Sequence, residues 1–206
     1  MERGFYLKMP KVSVEHKNKV KETITQAAIK NFAKNGYANT KMDDIAKSAD
    51  VSKGTLYLYF PSKEELFYEI CKYAQQALID ERSALFKKKE SLASDLANFY
   101  DNYNEATKEN QKFRIEALSE SIHNPKLRRI LNQNKREFEE SVTEFLKYMK
   151  KEGGFFQDKV DLAALSSGMI ALYDGLYLSK IVGISHEENK DTWIKTMMAI
   201  FYGTGN

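Results

Sequence analysis

The stretch from Asp50 to Leu66, "DVSKGTLYLYFPSKEEL", decides the fold of this 206-residue chain. It contains two helix start signals with a stop signal between them. Ser52 is an N-cap residue for a short helix, and Phe60 closes that helix because a residue before proline disfavours helical backbone. Ser62 opens a capping box and starts a second, longer helix. The stretch therefore predicts a helix from Lys53 to Tyr59 and a long helix directly after it.

Helical periodicity continues on both sides of this stretch. Apolar residues recur at spacings of three and four, strand-like alternation is rare, and the chain has only three prolines. Gly36 ends the first helix, and Thr40 with Asp43 forms a capping box for the second. We therefore predict an all-α fold of about nine helices, at about 14–35, 42–49, 53–59, 62–86, 92–107, 112–122, 125–151, 162–182 and 186–202.

Composition excludes several classes of protein. Hydrophobic residues make up 42% and charged residues 30% of the chain, which is typical of a globular protein and not of a disordered one. The one candidate membrane segment, 161–183, has Asp174 near its centre, so we expect a buried helix and no membrane partner. A single cysteine, Cys71, and the lack of a recognisable signal peptide predict a cytoplasmic protein that starts at Met1 or Met9.

Catalytic and cofactor motifs are lacking, and charge is distributed unevenly. The chain has no GxSxG, HExxH or P-loop motif, and its three histidines lack metal-ligand spacing, so we predict no enzyme activity, no cofactor and no metal site. Residues 1–63 contain 12 Lys+Arg and 6 Asp+Glu, a net charge of +6, whereas residues 64–206 contain 20 and 23, a net charge of −3. A basic front favours a polyanionic partner, although an excess of this size also arises by chance.

The second and third predicted helices have the dimensions of a helix-turn-helix. Leu56 and Phe60 lie four residues apart and point toward the core, which leaves Lys53, Thr55 and Leu58 on the outward face. Lysine donates to guanine O6 and N7, threonine reaches either kind of base edge, and leucine contacts the thymine methyl group. This combination on one exposed face is suited to the major groove of DNA.

Residues around the same helix favour contacts with phosphate. Gly54 allows close approach of the backbone, and Tyr57 and Tyr59 can donate to phosphate oxygens from the flanks. Lys63 lies in the first turn of the next helix, where the helix dipole disfavours a cation unless an anion also binds there. A solvated lysine and packed tyrosines are the alternative, so the interpretation depends on these residues sharing one face.

The segment "NGYANTKMDDIAKSADVSKGTLYLYFPSKEEL" resembles the DNA-binding domain of the TetR family of transcriptional regulators. The resemblance covers about residues 20–70, roughly a quarter of the chain. It departs from the family at Asp50, where the family usually has glycine in the turn, but aspartate tolerates the left-handed conformation. The matching positions are Phe32, Gly36, Thr40, Ile45, Ala46, Val51, Ser52, Gly54, Tyr57, Phe60, Lys63 and Leu66. The resemblance implies base contacts from Lys53, Gly54, Thr55 and Leu58, and phosphate contacts from Thr40, Ser52, Tyr57, Tyr59 and Lys63.

The resemblance also implies a division of the chain into a DNA-binding domain, 14–66, and an effector-binding and dimerisation domain, 67–206. The last two predicted helices carry apolar stripes, and small residues on the first of them permit close helix approach. A helix-turn-helix that binds a palindrome also requires a dimer, although these stripes can instead pack within one subunit. The expected dimer interface comprises Leu165, Leu172, Gly175, Leu176, Ile194, Met197, Met198 and Phe201.

A surplus of aromatic residues on helices that should converge predicts a pocket for a small apolar or amphipathic effector. For each of these residues, plain core packing is the alternative. Asp174 and His123 are candidate polar groups, and the basic run 126–136 either holds a phosphate of an acyl-coenzyme A or is a solvated helix face. The expected lining comprises Phe99, Tyr103, Phe113, Phe138, Phe145, Met149, Met169, Tyr173 and Tyr177.

Taken with the resemblance, the sequence predicts a homodimeric repressor that binds a palindromic operator in double-stranded DNA. Binding of the effector would change the separation of the two recognition helices and release the DNA. The alternative is a DNA-binding protein without a small-molecule effector that is controlled by a protein partner. A cavity of ligand size would separate these two hypotheses.

Overall fold

A computed structural model describes the chain over residues 13–82, 86, 89–108, 110–156 and 159–203. Within these ranges the protein is all α-helical, as predicted, and contains no strand. The two alternative start residues, Met1 and Met9, lie outside the described residues. The helices are α1 (Val14–Asn35), α2 (Met42–Ser48), α3 (Lys53–Tyr59), α4 (Lys63–Arg82), α5 (Leu92–Thr107), α6 (Gln111–Glu120), α7 (Pro125–Gly153), α8 (Leu162–Ile181) and α9 (His186–Gly203), with a 3-10 turn at Lys89–Ser91.

Most helix limits agree with the prediction because local capping groups determine them. Ser62 Oγ accepts the backbone N–H of Glu65 at 3.3 Å at the start of α4. Before α9, Ser185 Oγ accepts the N–H of Glu188 at 3.2 Å and Glu188 Oε2 accepts the backbone N–H of Ser185 at 3.4 Å, which completes a capping box. Apart from the end of α4, the predicted limits differ from the structure by no more than about two residues, where helix ends fray.

The predicted capping box of α2 and the predicted end of α4 are wrong. The N-cap position of α2 is Lys41, which makes no side-chain cap, so Thr40 does not form the expected capping box with Asp43. The fourth helix was expected to reach Phe86, but Phe86 is not helical and has a φ of +60°. Residues 83–85 lie outside the described part of the chain.

The turn between α2 and α3 is intact despite the aspartate at its centre. Asp50 adopts the left-handed conformation with a φ of +53°, as the sequence predicts for a residue in a position usually taken by glycine. The next residue, Val51, donates its backbone N–H to the carbonyl of Ala46 at 3.0 Å. The hydrogen bond closes the turn and sets the angle at which α3 leaves α2.

Four aromatic rings form the centre of the first hydrophobic core. Phe32 on α1, Tyr37 in the following loop, Phe67 on α4 and Phe113 on α6 are each no more than 1% exposed. We call these four residues the aromatic quartet. Five ring pairs within it have centroids 5.3 to 6.4 Å apart, within the range that favours edge-to-face and tilted contacts. The core extends past residue 66, because α4 and α6 complete the packing of α1 to α3.

The second core lies among α5, α7, α8 and α9. Leu96, Leu146 and Met197 are at most 1% exposed within it. The indole of Trp193 is 2% exposed and donates its Nε1–H to the carbonyl of Leu96 at 3.2 Å, so its polar group is satisfied. None of the helices over the described ranges is both long enough and apolar enough to cross a membrane.

Two leucines on α3 provide a matched test of its helical phase. Leu56 is 0% exposed and Leu58 is 81% exposed, although they lie two residues apart on one helix. Leu56→Ala should lower the free energy of unfolding by about 2–5 kcal/mol because it leaves a cavity in the first core. Leu58→Ala should change it by no more than about 0.5 kcal/mol. Urea unfolding at one fixed protein concentration measures both, and equal losses would mean that α3 is rotated from this orientation.

Candidate DNA-binding surface and ligand cavity

The outward face of α3 is held in place by its inward face and its cap. Leu56 and Phe60 are buried in the first core, at 0% and 2% exposed. Ser52 Oγ accepts the backbone N–H of Thr55 at 3.0 Å and lies 2.8 Å from the Thr55 hydroxyl oxygen. The N-cap thus orients the Thr55 side chain, while Leu58 projects into solvent. Ser52, Thr55 and Leu58 therefore occupy one accessible surface.

Lys53 begins α3 and is paired with a carboxylate of α2. Its Nζ lies 2.9 Å from each carboxylate oxygen of Asp43, and 5.9 Å from the ring centroid of Tyr57. The hydrogen bond and the charge of Asp43 raise the pKa of Lys53. The ammonium group is thus positioned at the edge of the outward face, and it must leave Asp43 to contact a base. Sequence reasoning assigned Asp43 to a cap and missed this pair.

The remaining residues of α3 differ in how much they are exposed to solvent. Gly54 is exposed, and a Cβ added to it would meet only Ser52 Oγ, at 3.8 Å, so the backbone is open to close approach. Tyr57 is 40% exposed. Tyr59 is half-buried and packs against the first core. Gly54 and Tyr57 thus belong to the accessible surface, whereas Tyr59 lies at its edge.

Lys63 does not present its ammonium group to solvent, in contrast to the expectation. Its Nζ donates to the backbone carbonyls of Tyr37 at 2.7 Å, Ala38 at 3.1 Å and Thr40 at 3.2 Å. It also lies 4.5 Å from the ring centroid of Tyr37. Burial lowers the pKa of Lys63, but three carbonyls satisfy its three donors. Lys63 joins α4 to the loop after α1, which argues against the predicted phosphate contact.

Thr40 is a second correction to the predicted phosphate contacts. Its side chain is 2% exposed, and its hydroxyl donates to the carbonyl of Gly36 at 2.7 Å, with the carbonyl of Asn31 at 3.2 Å. The hydroxyl therefore satisfies orphan carbonyls at the end of α1. Thr40 and Lys63 both hold the α1–α2 loop, and neither side chain is free for DNA in this structure.

A cavity of about 350 Å³ lies between the second core and helices α4 and α6. All but one of the residues predicted to line a pocket lie on its wall, the exception being Tyr177, which is half-buried and does not line it. Of the two candidate polar groups, Asp174 lines the cavity, whereas His123 is exposed in the turn before α7. The predicted residues on the wall are Phe99, Tyr103, Phe113, Phe138, Phe145, Met149, Met169 and Tyr173.

Arg114 on α6 also lines the cavity, and sequence reasoning missed it. Its guanidinium interacts with the hydroxyl of Tyr103 and, at longer range, with Asp174. Burial raises the pKa of Asp174, while Arg114 and Lys135 act in the opposite direction. Burial also raises the pKa of the Cys71 thiol to about 11, which favours the protonated form of this lining residue. No local sequence pattern indicated which side of α6 would face the cavity.

The same helix contacts the loop that precedes the helix-turn-helix. Glu116 Oε2 accepts the backbone N–H of Tyr37 at 2.8 Å. Gly36 has a φ of +79°, and any side chain there would collide with the Glu116 carboxylate. Glycine is therefore required at this position both for its backbone conformation and for the close approach of α6. Through Arg114 and Glu116, α6 reaches from the cavity to the end of α1.

The predicted dimer interface divides into two groups. Leu176, Met197 and Phe201 are at most 7% exposed in the second core, so for them the alternative of packing within one subunit is correct. Gly175 is exposed, and the other four predicted residues are half-buried. A stripe of small and apolar residues on the outer face of α8 is uncovered, and we call it the α8 stripe: Ala164, Gly168, Ala171, Gly175, Leu178 and Val182.

Comparison with known families gives one match for the helix-turn-helix region and one for the helical region that follows it. Residues 24–70 match the model for bacterial regulatory proteins of the tetR family, and residues 96–197 match the model for the C-terminal domain of BetI-type transcriptional repressors. The HTH-type transcriptional regulator YfiR of Bacillus subtilis is 27% identical over 175 residues, which are 81% of this chain and 82% of that protein. Three further B. subtilis regulators are 45% to 54% identical, but the chain spans only 17% to 26% of their lengths.

Solved structures share the fold at low sequence identity. A TetR-family transcriptional regulator from Syntrophomonas wolfei superposes with a TM-score of 0.73 at 17% identity, covering 90% of this chain and 96% of that one. A transcriptional regulator from Saccharomonospora viridis in complex with choline has a TM-score of 0.62 at 22% identity, covering 88% and 96%. The two family models match the helix-turn-helix and the helical region that follows it, and both models describe transcriptional regulators. The chain belongs to the TetR family of transcriptional regulators, which are DNA-binding proteins and not enzymes.

Proposed function

We propose that the protein is a homodimeric repressor that binds a palindromic operator in double-stranded DNA and releases it when a small apolar or amphipathic effector enters the cavity. The outward face of α3 carries the proposal, because Lys53, Thr55 and Leu58 together offer donors and a methyl contact to base edges. The BetI-type repressor model supports repression. A bacterial regulator of this kind acts in the cytoplasm, where its operator lies.

Contacts to phosphate hold α3 in the groove in this proposal. Ser52, Gly54 and Tyr57 are exposed around the helix and can contact the DNA backbone through hydroxyl or N–H groups, with Tyr59 at the edge. Such contacts position the helix without reading sequence. Lys53 can belong to either the base-contacting or the phosphate-contacting residues, because its ammonium group can leave the exposed Asp43 for a base or for a phosphate.

Dimerisation through α8 would place two copies of α3 on one face of the DNA. The α8 stripe is exposed on a single subunit and has small residues at the spacing that lets two helix backbones approach. A twofold axis at this stripe would be self-complementary, as an isologous interface requires. Two copies of α3 separated by about one helical turn of DNA would then contact the two half-sites.

An effector in the cavity would act through α4 and α6. Phe67 and Phe113 belong to the aromatic quartet and also line the cavity, so a ligand there would lie beside side chains that complete the first core. An effector that fits only one arrangement of these helices would shift the population toward it by its difference in affinity. The cavity disfavours the alternative of control by a protein partner alone, which would be supported if no small molecule altered DNA binding.

The base contacts can be tested with substitutions on α3. Lys53→Ala should relax specificity at a guanine in each half-site by about 1–3 kcal/mol, and Leu58→Ala should do so at a thymine. Lys53→Ala should also lower the salt slope by about two for the dimer, whereas Leu58→Ala should leave it unchanged because leucine displaces no counterion. The measurement is binding to a randomised DNA library at several salt concentrations.

Lys195→Ala is the matched control, because Lys195 is an exposed lysine on α9, far along the chain from α3. It should change neither base preference nor salt slope. If Leu58→Ala left every base preference intact, Leu58 would not lie in the groove. If the unsubstituted protein selected no sequence from the library, the proposed operator function would be wrong.

The α8 stripe can be tested with Gly175→Leu. A Cβ added at Gly175 meets no atom of the described residues within 4 Å, so this part of a single subunit can accommodate the larger side chain. Across a close helix pair, the same change should overpack the interface and weaken the dimer by about 1–3 kcal/mol for each helix. Sedimentation equilibrium measures the dissociation constant. Ala93→Leu, at an exposed small residue of α5, is the control and should have no effect. An unchanged dimer in Gly175→Leu would place the interface elsewhere.

A further inference from the structure

We infer that the effector is an anionic amphipath whose carboxylate is bound by Arg114 and whose apolar chain fills the aromatic part of the cavity. This inference rests on the proposed effector function of the cavity and specifies the chemical class of ligand. The charge balance of the wall is the first observation. Among the described lining residues, Arg114, Arg128 and Lys135 are basic, and Asp174 alone is acidic.

The guanidinium of Arg114 has no acidic partner at close range. Over the described residues, no carboxylate oxygen lies within the 4.0 Å that defines an ion pair with it, and its neighbours are Tyr103, Cys71 and, farther away, Asp174. A charge that is enclosed without a partner is unfavourable, and a bound carboxylate would offset that cost. Arginine and carboxylate groups also match in a planar, bidentate geometry.

Two further polar groups on the wall have donors without acceptors. Asn134 Nδ2 is buried and has no hydrogen-bond partner within the described residues, and the buried Tyr173 hydroxyl lies near the Thr107 side chain without a well-formed hydrogen bond to it. Asn134 Oδ1 accepts Gln75 Nε2 at 3.2 Å, so the oxygen of this amide has a partner within the described residues and its NH₂ group has none. Burial raises the pKa of Tyr173, so its hydroxyl keeps its proton. Asn110 Oδ1 is an unpartnered acceptor on the same wall.

The same wall is poorly suited to a cationic ligand. Asp174 is the only acidic residue on the described lining, beside three basic ones, and desolvation raises the pKa of its carboxyl group. A cation would otherwise need an open aromatic face. The ring of Phe99 is already stacked with the rings of Tyr103 and Trp193, with centroids 6.1 Å away in both pairs.

The remainder of the lining is suited to an alkyl chain. Phe145, Met149 and Phe201 are apolar and lie on the wall contributed by the second core. Each methylene group buried there should tighten binding by about fourfold, the equivalent of about 0.8 kcal/mol, until the cavity is full. Affinity should therefore rise with chain length and then reach a plateau.

Trp193 makes the inference directly measurable. It is the only tryptophan of the chain and lines the cavity, so its fluorescence reports ligand entry without DNA. The probes are decanoate, decan-1-ol and decyltrimethylammonium, with shorter and longer homologues of each, and calorimetry confirms the affinities. Decanoate should bind the full chain at least tenfold more tightly than the other two, because hydrogen bonds to charged groups are the strong ones.

Arg114→Gln should weaken decanoate binding by about tenfold or more and change decan-1-ol binding by less than about twofold. Arg129→Gln removes the same charge from an exposed residue of α7 that does not line the cavity, and it should leave both affinities unchanged. Arg114→Lys keeps the positive charge and should retain part of the preference for decanoate over decan-1-ol. It provides a second test of the inference if the glutamine variant does not fold.

The outcomes separate the inference from the proposed function. If the alcohol or the trimethylammonium series bound as tightly as the carboxylates, or if Arg114→Gln weakened all three equally, the anionic assignment would be overturned while the effector site stood. If no homologue of any series changed the fluorescence or gave heat, the proposed effector function of the cavity would itself be wrong, and the inference with it.

Discussion

The packing of the aromatic quartet is the constraint on which the rest of the structure depends. Phe32 and Tyr37 come from the DNA-binding end, while Phe67 and Phe113 come from helices that continue to the cavity. Because all four rings are buried against one another, the helix-turn-helix cannot complete its core without α4 and α6. Close-packed interiors transmit small displacements instead of absorbing them. A shift of either helix at the cavity must therefore move or repack the core beneath α3.

Two polar contacts reinforce this connection at the same loop. Lys63 on α4 donates to three carbonyls of the α1–α2 loop, and Glu116 on α6 accepts the N–H of Tyr37. Both are contacts of a charged side chain with the backbone, which are stronger than neutral hydrogen bonds. The loop is thus held from two sides by α4 and α6, two of the helices that line the cavity. A lysine whose position suggested a phosphate contact instead has a structural function.

The basic side chains of the candidate DNA-binding surface and of the cavity have different surroundings. On α3, Lys53 is exposed and paired with the carboxylate of Asp43, so its charge costs little. In the cavity, Arg114 is enclosed beside Tyr103 without a close carboxylate over the described residues. An enclosed charge without a partner is unfavourable, whereas an exposed and paired charge costs little, and this contrast distinguishes the surroundings of Arg114 from those of Lys53.

The sequence by itself determined the all-α fold, the caps at Ser52 and Ser62 and the inward phase of Leu56. These features depend on residues three or four positions apart, and such neighbours meet in any helix whatever surrounds it. Only the tertiary structure decided which side chains contact other parts of the same subunit. Lys63 donates to backbone carbonyls more than twenty residues away along the chain. Leu176 and Met197 pack within one subunit, and Arg114 lines a cavity formed by several helices. Such partners are chosen by how helices pack, and a local pattern does not contain that information.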